Sequence, residues 1–485
     1  MAGMHHAYLP DQNLIKLTIN MKTNSILESM SLSIPSLQAG YADGSITPVD
    51  VIVEVYRRID ARGEDHVWTV LSDKQDALES AQDLLSVDSR SLPLYGIPFS
   101  VKDNIHVQGL PTTASCPGFS HFPQQSAVVV EKLIAAGAIL VGKNTMDQFA
   151  TGLVGVRSPG HPVNSFNPDY IPGGSSSGSG VAVAVGLVSF SLGSDTGGSG
   201  RIPAALNNIV GLKPTPGIIS TKGMIYANRS FDCVPIFALT CSDAKRVFDQ
   251  ASGVDINDPF LRASQQACSR VPDSFENLVV AIPDEKNRQF FGDTLAEQCF
   301  DDAIGKAKSL GAEVTEIDFT HFLEAGKMLF DGPLLAERYS SLESFLDSNP
   351  NQVNSNVKSI VEKAKQYSAV DLCNEYYRIT ELKALTRGVF SNIDILMVPT
   401  AGTIYRIDEV AADPVNLNTN MGYYTYYANI LQLSAIAVPA AIREDGLPFG
   451  VCFLAGPQCD ASLAALGSTW QQSTNLLLGD NAGFR

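Results

Sequence analysis

The chain has 485 residues, 45% hydrophobic and 18% charged, and its 51 acidic against 34 basic side chains give a net charge of −17. So much apolar sequence supplies a large core and excludes a disordered or coiled-coil chain. The acidic surplus argues against sustained binding to nucleic acid or anionic membrane, both of which need clustered Lys and Arg.

Residues 1–25 read as a flexible tail. They lack a basic start leading into an apolar run, so no secretory signal is expected. From there to 475 one large unit is expected, although length alone would suggest about three domains; residues 476–485 form a second tail. A helix is well signalled at 48–62: Thr47 serves as N-cap, Pro48 takes the first helical position, and Val51, Ile52, Val55, Tyr56 and Ile59 make one apolar face. A further helix is predicted over 74–85. Strand, helix and strand follow in LYGIPFSVKDNI, in VVVEKLIAAG closing at Gly137, and in AILVGK. Residues 151–180 are rich in Gly, Pro and Ser, after which VAVAVGLVSFSLGS repeats helix then strand. That stretch, 181–192, is too short to span a bilayer. Residues 255–390 read as a charged, helical insertion or cap, and IDILMVPTAGT and LPFGVCFLAG as late core strands. Alternating strands and helices predict an α/β fold with a buried sheet.

Eight cysteines are scattered without a C-x-x-C pair, which predicts reduced thiols in a soluble, cytoplasmic protein. His5 and His6 fall in the tail, and the other five histidines show no metal-ligand spacing, so neither a metal nor a cofactor is expected. Catalysis must then rest on other groups.

The chemistry concentrates in residues 171–201, IPGGSSSGSGVAVAVGLVSFSLGSDTGGSGR. A Gly/Ser run alone reads as a flexible linker. This one opens onto an apolar helix and strand that end in a second glycine-rich turn, DTGGSGR. A helix of about ten residues climbs roughly 15 Å and a short strand returns a similar distance. Ser175 and Ser199, 24 residues apart, can therefore meet at one sheet edge. A serine needs a base to become a nucleophile, and no histidine lies in either turn. Lys102, at the end of an apolar strand, is the candidate, since burial would favour its neutral form; taken alone, it reads first as a surface lysine. In Asp195-Thr196-Gly197-Gly198-Ser199 the glycines leave backbone N–H groups unshielded, a candidate oxyanion hole drawn from Thr196, Gly197, Gly198 and Ser199.

Lys102 within GIPFSVKDN, Ser175 within GGSSSGSG and Ser199 within SDTGGSGR resemble the amidase signature family, over residues 31–475. The resemblance implies a mixed central sheet covered by helices on both faces. It assigns Lys102 as base, Ser199 as nucleophile and Ser175 as relay, with a cis peptide bond between Gly174 and Ser175; Ser176 and Ser177 are disfavoured as relays. Asp195 is read as bracing the turn. DQFATGLVGVRSP, GSGRIPAALNNIVGLKPT, GIISTKGM and RSFDCVPIFALT are similar to the allophanate hydrolase branch of that family, as is Gly200. That branch implies release of ammonia from a small carboxylated urea, with Arg338 of LFDGPLLAERY pairing the substrate carboxylate and Gly152, Asn228 and Phe330 lining the site. The competing reading of Arg338 is an exposed helix charge. Three departures from the branch stand out: Phe330 replaces a tyrosine, Gly197 an alanine, and YANR around Asn228 a cysteine-containing segment. The resemblance implies a homodimer acting on a small-molecule amide, with a separate enzyme for the dicarboxylated product because the sequence stops soon after GLPFGVCFLAGP. Three alternatives stay open: an amidase acting on another small or biosynthetic amide, one component of a tRNA-dependent amidotransferase, and a non-catalytic binding protein.

Overall fold

Eleven strands join in a single mixed sheet: β1 (Trp68–Leu71), β2 (Pro98–Lys102), β3 (Ile139–Asn144), β4 (Phe190–Leu192), β5 (Val210–Lys213), β6 (Ile236–Ala238), β7 (Val279–Pro283), β8 (Glu313–Ile317), β9 (Ile395–Pro399), β10 (Ser434–Ile442) and β11 (Pro448–Ala455). Their spatial order is β1-β3-β2-β4-β6-β5-β10-β11-β9-β7-β8. The β2–β3, β2–β4, β7–β9 and β7–β8 pairs are parallel, the others antiparallel. The structure, a computed structural model, describes residues 27, 30–262, 271–477 and 479–480. The tail expected at 1–25 and most of that at 476–485 lie outside the described residues.

The middle of the sheet is buried on both faces. Along β9, Ile395 and Met397 enter one apolar cluster while Leu396 and Val398 enter the other; along β11, Val451 and Phe453 alternate in the same way with Cys452 and Leu454. A strand covered on both sides favours apolar residues on both faces, which is why these two segments read as unbroken hydrophobic runs. The helix Pro48–Arg62 forms as its start signal requires. The Thr47 hydroxyl accepts the Asp50 N–H, the Asp50 carboxylate accepts the Thr47 N–H, and Val51, Ile52, Val55 and Ile59 pack into the first cluster. The next helix spans Lys74–Leu84, one residue short of its expected end.

Segment 255–390 is not wholly helical. Helices such as Thr294–Ser309 and Ala369–Phe390 are present, but β7 and β8 extend the common sheet beyond β9. β8 is EVTEI, an edge strand with three of its five residues exposed. Charge on such an edge blocks pairing with other chains and hides the strand from a search for apolar runs. The thiols of Cys116, Cys233, Cys241, Cys299, Cys373 and Cys452 are free, but Cys459 is disulfide-bonded and departs from the expected reduced state. Among the described residues no helix is long and apolar enough to cross a membrane.

Candidate active site

The parallel strands β2 and β4 place the chemistry at their carboxyl ends, the usual location of a site in such a sheet. Val101 pairs with Leu192, so Lys102 lies beside the Gly193–Ser194 step that leads into the nucleophile turn. Lys102 is fully buried, contrary to the surface-lysine reading. Its Nζ lies 2.7 Å from Ser175 Oγ, 2.8 Å from Ser194 Oγ and 3.4 Å from Ser194 O. Among the described residues it forms no ion pair. Burial pulls its pKa down to about 7, against the opposing pull of Asp147, Asp195 and Asp232. A large fraction of the amine is thus neutral at physiological pH.

Ser175 Oγ lies 2.9 Å from Ser199 Oγ, which completes an unbroken line from Lys102 through Ser175 to Ser199. The Gly174–Ser175 peptide bond is cis. The Asp147 N–H donates to the Ser175 carbonyl at 3.0 Å, and the Gly174 N–H to the Leu153 carbonyl at 2.8 Å. The neighbouring serines point elsewhere: the Ser176 hydroxyl donates to the Ser194 carbonyl and that of Ser177 to the Thr145 carbonyl. Gly174 has no room for a side chain. A Cβ there would sit 2.2 Å from Asp147 Oδ2 and 2.5 Å from the Gly155 nitrogen, part of the backbone. Gly174→Ala is therefore expected to cost about 1–3 kcal/mol of stability, seen as a lower urea midpoint at unchanged slope. A midpoint equal to the wild type's would contradict that packing.

The nucleophile turn is tied down from within. Asp195 is fully buried and accepts the Gly198 N–H at 2.8 Å, the Gly200 N–H at 2.9 Å and both Nε and Nη2 of Arg201. Burial opposes its charge, but the Arg201 guanidinium and these donors hold its carboxyl below the ordinary value. Asn429 Nδ2 grips the Asp195 carbonyl and the Thr425 hydroxyl grips that of Gly197. One expected oxyanion donor changes as a result. The Gly198 N–H is committed to Asp195, because a carboxylate two or three residues back is the nearest acceptor for a glycine amide in so tight a turn. The N–H groups of Thr196, Gly197 and Ser199 have no acceptor among the described residues, and these three could meet a developing oxyanion. Gly200 packs on Pro235, 2.3 Å from where a Cβ would be, so a bulky residue has no space there.

Arg338, in the helix Leu335–Ser348, is completely buried, which excludes an exposed helix charge. Nη1 donates to Thr151 Oγ1 at 3.0 Å and Nη2 to Asn228 Oδ1 at 3.2 Å, while Nε has no partner. No carboxylate lies within ion-pair distance among the described residues. Burial pulls its pKa down to about 10 in spite of Asp232 nearby. The guanidinium lies 5.1 Å from the Phe330 ring centre, and that ring packs on Tyr426 at 4.4 Å. Phe330, Tyr426 and Leu329 all crowd the hydrogen face of Gly197, where a Cβ would meet them at 2.7–3.0 Å. Phe330 thus packs on both Arg338 and the turn that carries Ser199.

Asn228 lies against Arg338. Its Nδ2 donates to the Leu334 carbonyl and its Oδ1 accepts from Arg338, so it holds the arginine in place. Gly152 follows Thr151 in the chain; a Cβ there would lie 2.6 Å from Asp147 Oδ2, so its smallness serves packing against that carboxylate. Three further residues of the site, Ser194, Thr151 and Asp232, are absent from the sequence-based expectation. The last accepts from the Thr196 hydroxyl at 2.5 Å and from the N–H groups of Ala227 and Asn228, and burial raises its pKa to about 6. Ser194 is the first residue of the SDTGG motif, and that place is a usable signal. Nothing local marks Thr151, which reaches Arg338 only through the tertiary fold.

Activating one serine through another serine and a neutral lysine serves attack on an amide carbonyl, and with the fold it defines the class as a hydrolase of C–N bonds. The chain belongs to the amidase family, whose profile, Amidase, matches residues 50–463. It is 43% identical over 423 residues to urea amidolyase of Saccharomyces cerevisiae, an alignment covering 84% of this chain but only 22% of that protein. It is 31% identical over 480 residues to a glutamyl-tRNA(Gln) amidotransferase component of Staphylococcus aureus, covering 92% and 97% of the two. Among solved structures, allophanate hydrolase of Kluyveromyces lactis superposes with a TM-score of 0.87 at 36% identity, over 93% of this chain and 75% of that one. The chain therefore spans about a fifth of the urea amidolyase it matches.

Proposed function

We propose that the protein releases ammonia from a small carboxylated urea such as allophanate, through an acyl-enzyme on Ser199. The observation that carries the substrate is Arg338, a buried guanidinium without a carboxylate partner among the described residues and with an unpaired Nε, against Phe330, which also packs on the turn that carries Ser199. A buried charge lacking its counter-ion is costly, and a substrate carboxylate supplies the missing partner through paired, charge-assisted hydrogen bonds. The similarity to allophanate hydrolase and urea amidolyase points the same way.

In this mechanism Ser199 Oγ attacks the carboxamide carbon as its proton passes to Ser175 Oγ and the Ser175 proton passes to the lone pair of Lys102. The N–H groups of Gly197, Ser199 and Thr196 receive the oxyanion. Lys102 then returns its proton through Ser175 to the departing nitrogen, ammonia leaves, and water attacks the acyl-enzyme by the same relay in reverse. The product from allophanate carries two carboxylates.

Ammonia release from allophanate, biuret, malonamate and simple aliphatic and aromatic amides tests the substrate. The expected order places the two carboxylated compounds well above the neutral ones. Turnover of neutral amides without allophanate would overturn the choice. The amidotransferase relative supports a second reading, in which an amide nitrogen is passed to a tRNA-bound acceptor; under that reading ammonia release from allophanate is absent.

A further inference from the structure

The two serines and lysine of the relay have a fourth neighbour. Ser194 puts both its hydroxyl (2.8 Å) and its carbonyl (3.4 Å) against Lys102 Nζ, which also meets the Ser175 hydroxyl at 2.7 Å. A neutral amine has two N–H bonds and one lone pair, and it acts as a base only when the lone pair faces the proton to be taken. Nζ rotates freely about its last C–N bond, so something must choose which of its three positions faces Ser175. The two Ser194 oxygens are acceptors, and they claim the two N–H bonds. The lone pair is left for the third direction, toward the Ser175 O–H.

The geometry points to Ser194 as a positioning residue that aims the Lys102 lone pair at Ser175 and then accepts two of the three N–H bonds once the amine is protonated. This rests on the proposed role of Lys102 as base. The proton balance closes: one proton leaves Ser199 Oγ, one leaves Ser175 Oγ for Nζ, and the resulting ammonium has an acceptor for each N–H in Ser175 Oγ, Ser194 Oγ and Ser194 O. Ser194 is itself held. It is 2% exposed, its carbonyl also accepts from the Ser176 hydroxyl at 3.2 Å, and the preceding Gly193 packs against Ser176 Oγ and the Phe237 ring. Ser176 thereby gains a purpose that its exclusion from the relay left open.

The test is the pH dependence of ammonia release by the wild type, Ser194→Ala and Ser194→Thr. Wild-type kcat/KM is expected to rise with pH through about 7 as Lys102 loses its proton. Ser194→Ala removes an acceptor that favours the ammonium, so its rising limb moves to lower pH, by about half to one unit. Its kcat is expected to fall about 10- to 100-fold with KM nearly unchanged, because a misdirected lone pair weakens proton transfer and leaves binding intact. Ser194→Thr, which keeps the hydroxyl, is expected to restore both limb and rate. If Ser194→Ala fails to fold, as judged by its melting curve, Ser194→Cys keeps the shape with a poor acceptor, and the same shifts are expected. A limb that does not move, with kcat unchanged or with a rate loss that Ser194→Thr does not repair, overturns the inference. A wild-type profile flat through neutral pH, or full activity in Lys102→Met, instead defeats the lysine-base reading beneath it.

Discussion

Ser199→Ala is expected to lower ammonia release by roughly 10⁴-fold or more, the scale seen when a covalent nucleophile is removed. The effect should fall almost wholly on kcat. Ser199 is 4% exposed and its hydroxyl bonds only to Ser175 among the described residues, so its loss leaves the turn intact; Asp195, Arg201 and Asn429 still hold that turn. The thermal midpoint should stay close to the wild type's. Steady-state kinetics and a melting curve on one preparation check both halves. Retained activity in a folded variant would remove the covalent mechanism.

The second large effect is expected at Arg338. Arg338→Met keeps the length of the side chain and the apolar contact with Phe330 while removing the charge. For carboxylated substrates kcat/KM is expected to fall about 30- to 1000-fold, since a buried charge–charge contact is worth about 2–4 kcal/mol when one partner is removed. For neutral amides the change should stay within a few-fold. The loss for carboxylated substrates should appear mainly in KM, because the carboxylate is held in both ground and transition states. Arg338→Lys is expected to recover little, because one ammonium cannot replace a planar guanidinium held by Thr151 and Asn228. An equal loss on neutral and carboxylated substrates would assign Arg338 to packing alone.

The relay is legible in the sequence because its three members sit in glycine-rich or strand-end motifs whose spacing implies a meeting point. β9 and β11 are legible because both of their faces pack into apolar clusters and their sequences run apolar with little interruption. What stays hidden has physical reasons as well. β8 escapes notice because an exposed edge carries charge where a core strand carries valine. The use of the Gly198 N–H cannot be read from composition, since a turn full of unshielded amides does not say which of them the Asp195 carboxylate takes. Arg338 looks like any charge on a helix, because burial by Thr151, Asn228 and Phe330 needs segments that lie as far as 187 positions apart in the chain. The bond of Asn228 to Arg338 is hidden for the same reason: the two lie 110 positions apart.

The most direct measurement is trapping of the acyl-enzyme. The protein would be mixed with allophanate, or with a serine-directed covalent probe, quenched in acid, digested and analysed by mass spectrometry. An adduct on Ser199 itself is expected, formed by the wild type, strongly slowed in Lys102→Met and absent in Ser199→Ala. Turnover with no adduct on Ser199, or an adduct on another side chain that forms equally well without Lys102, would contradict the acyl-enzyme mechanism.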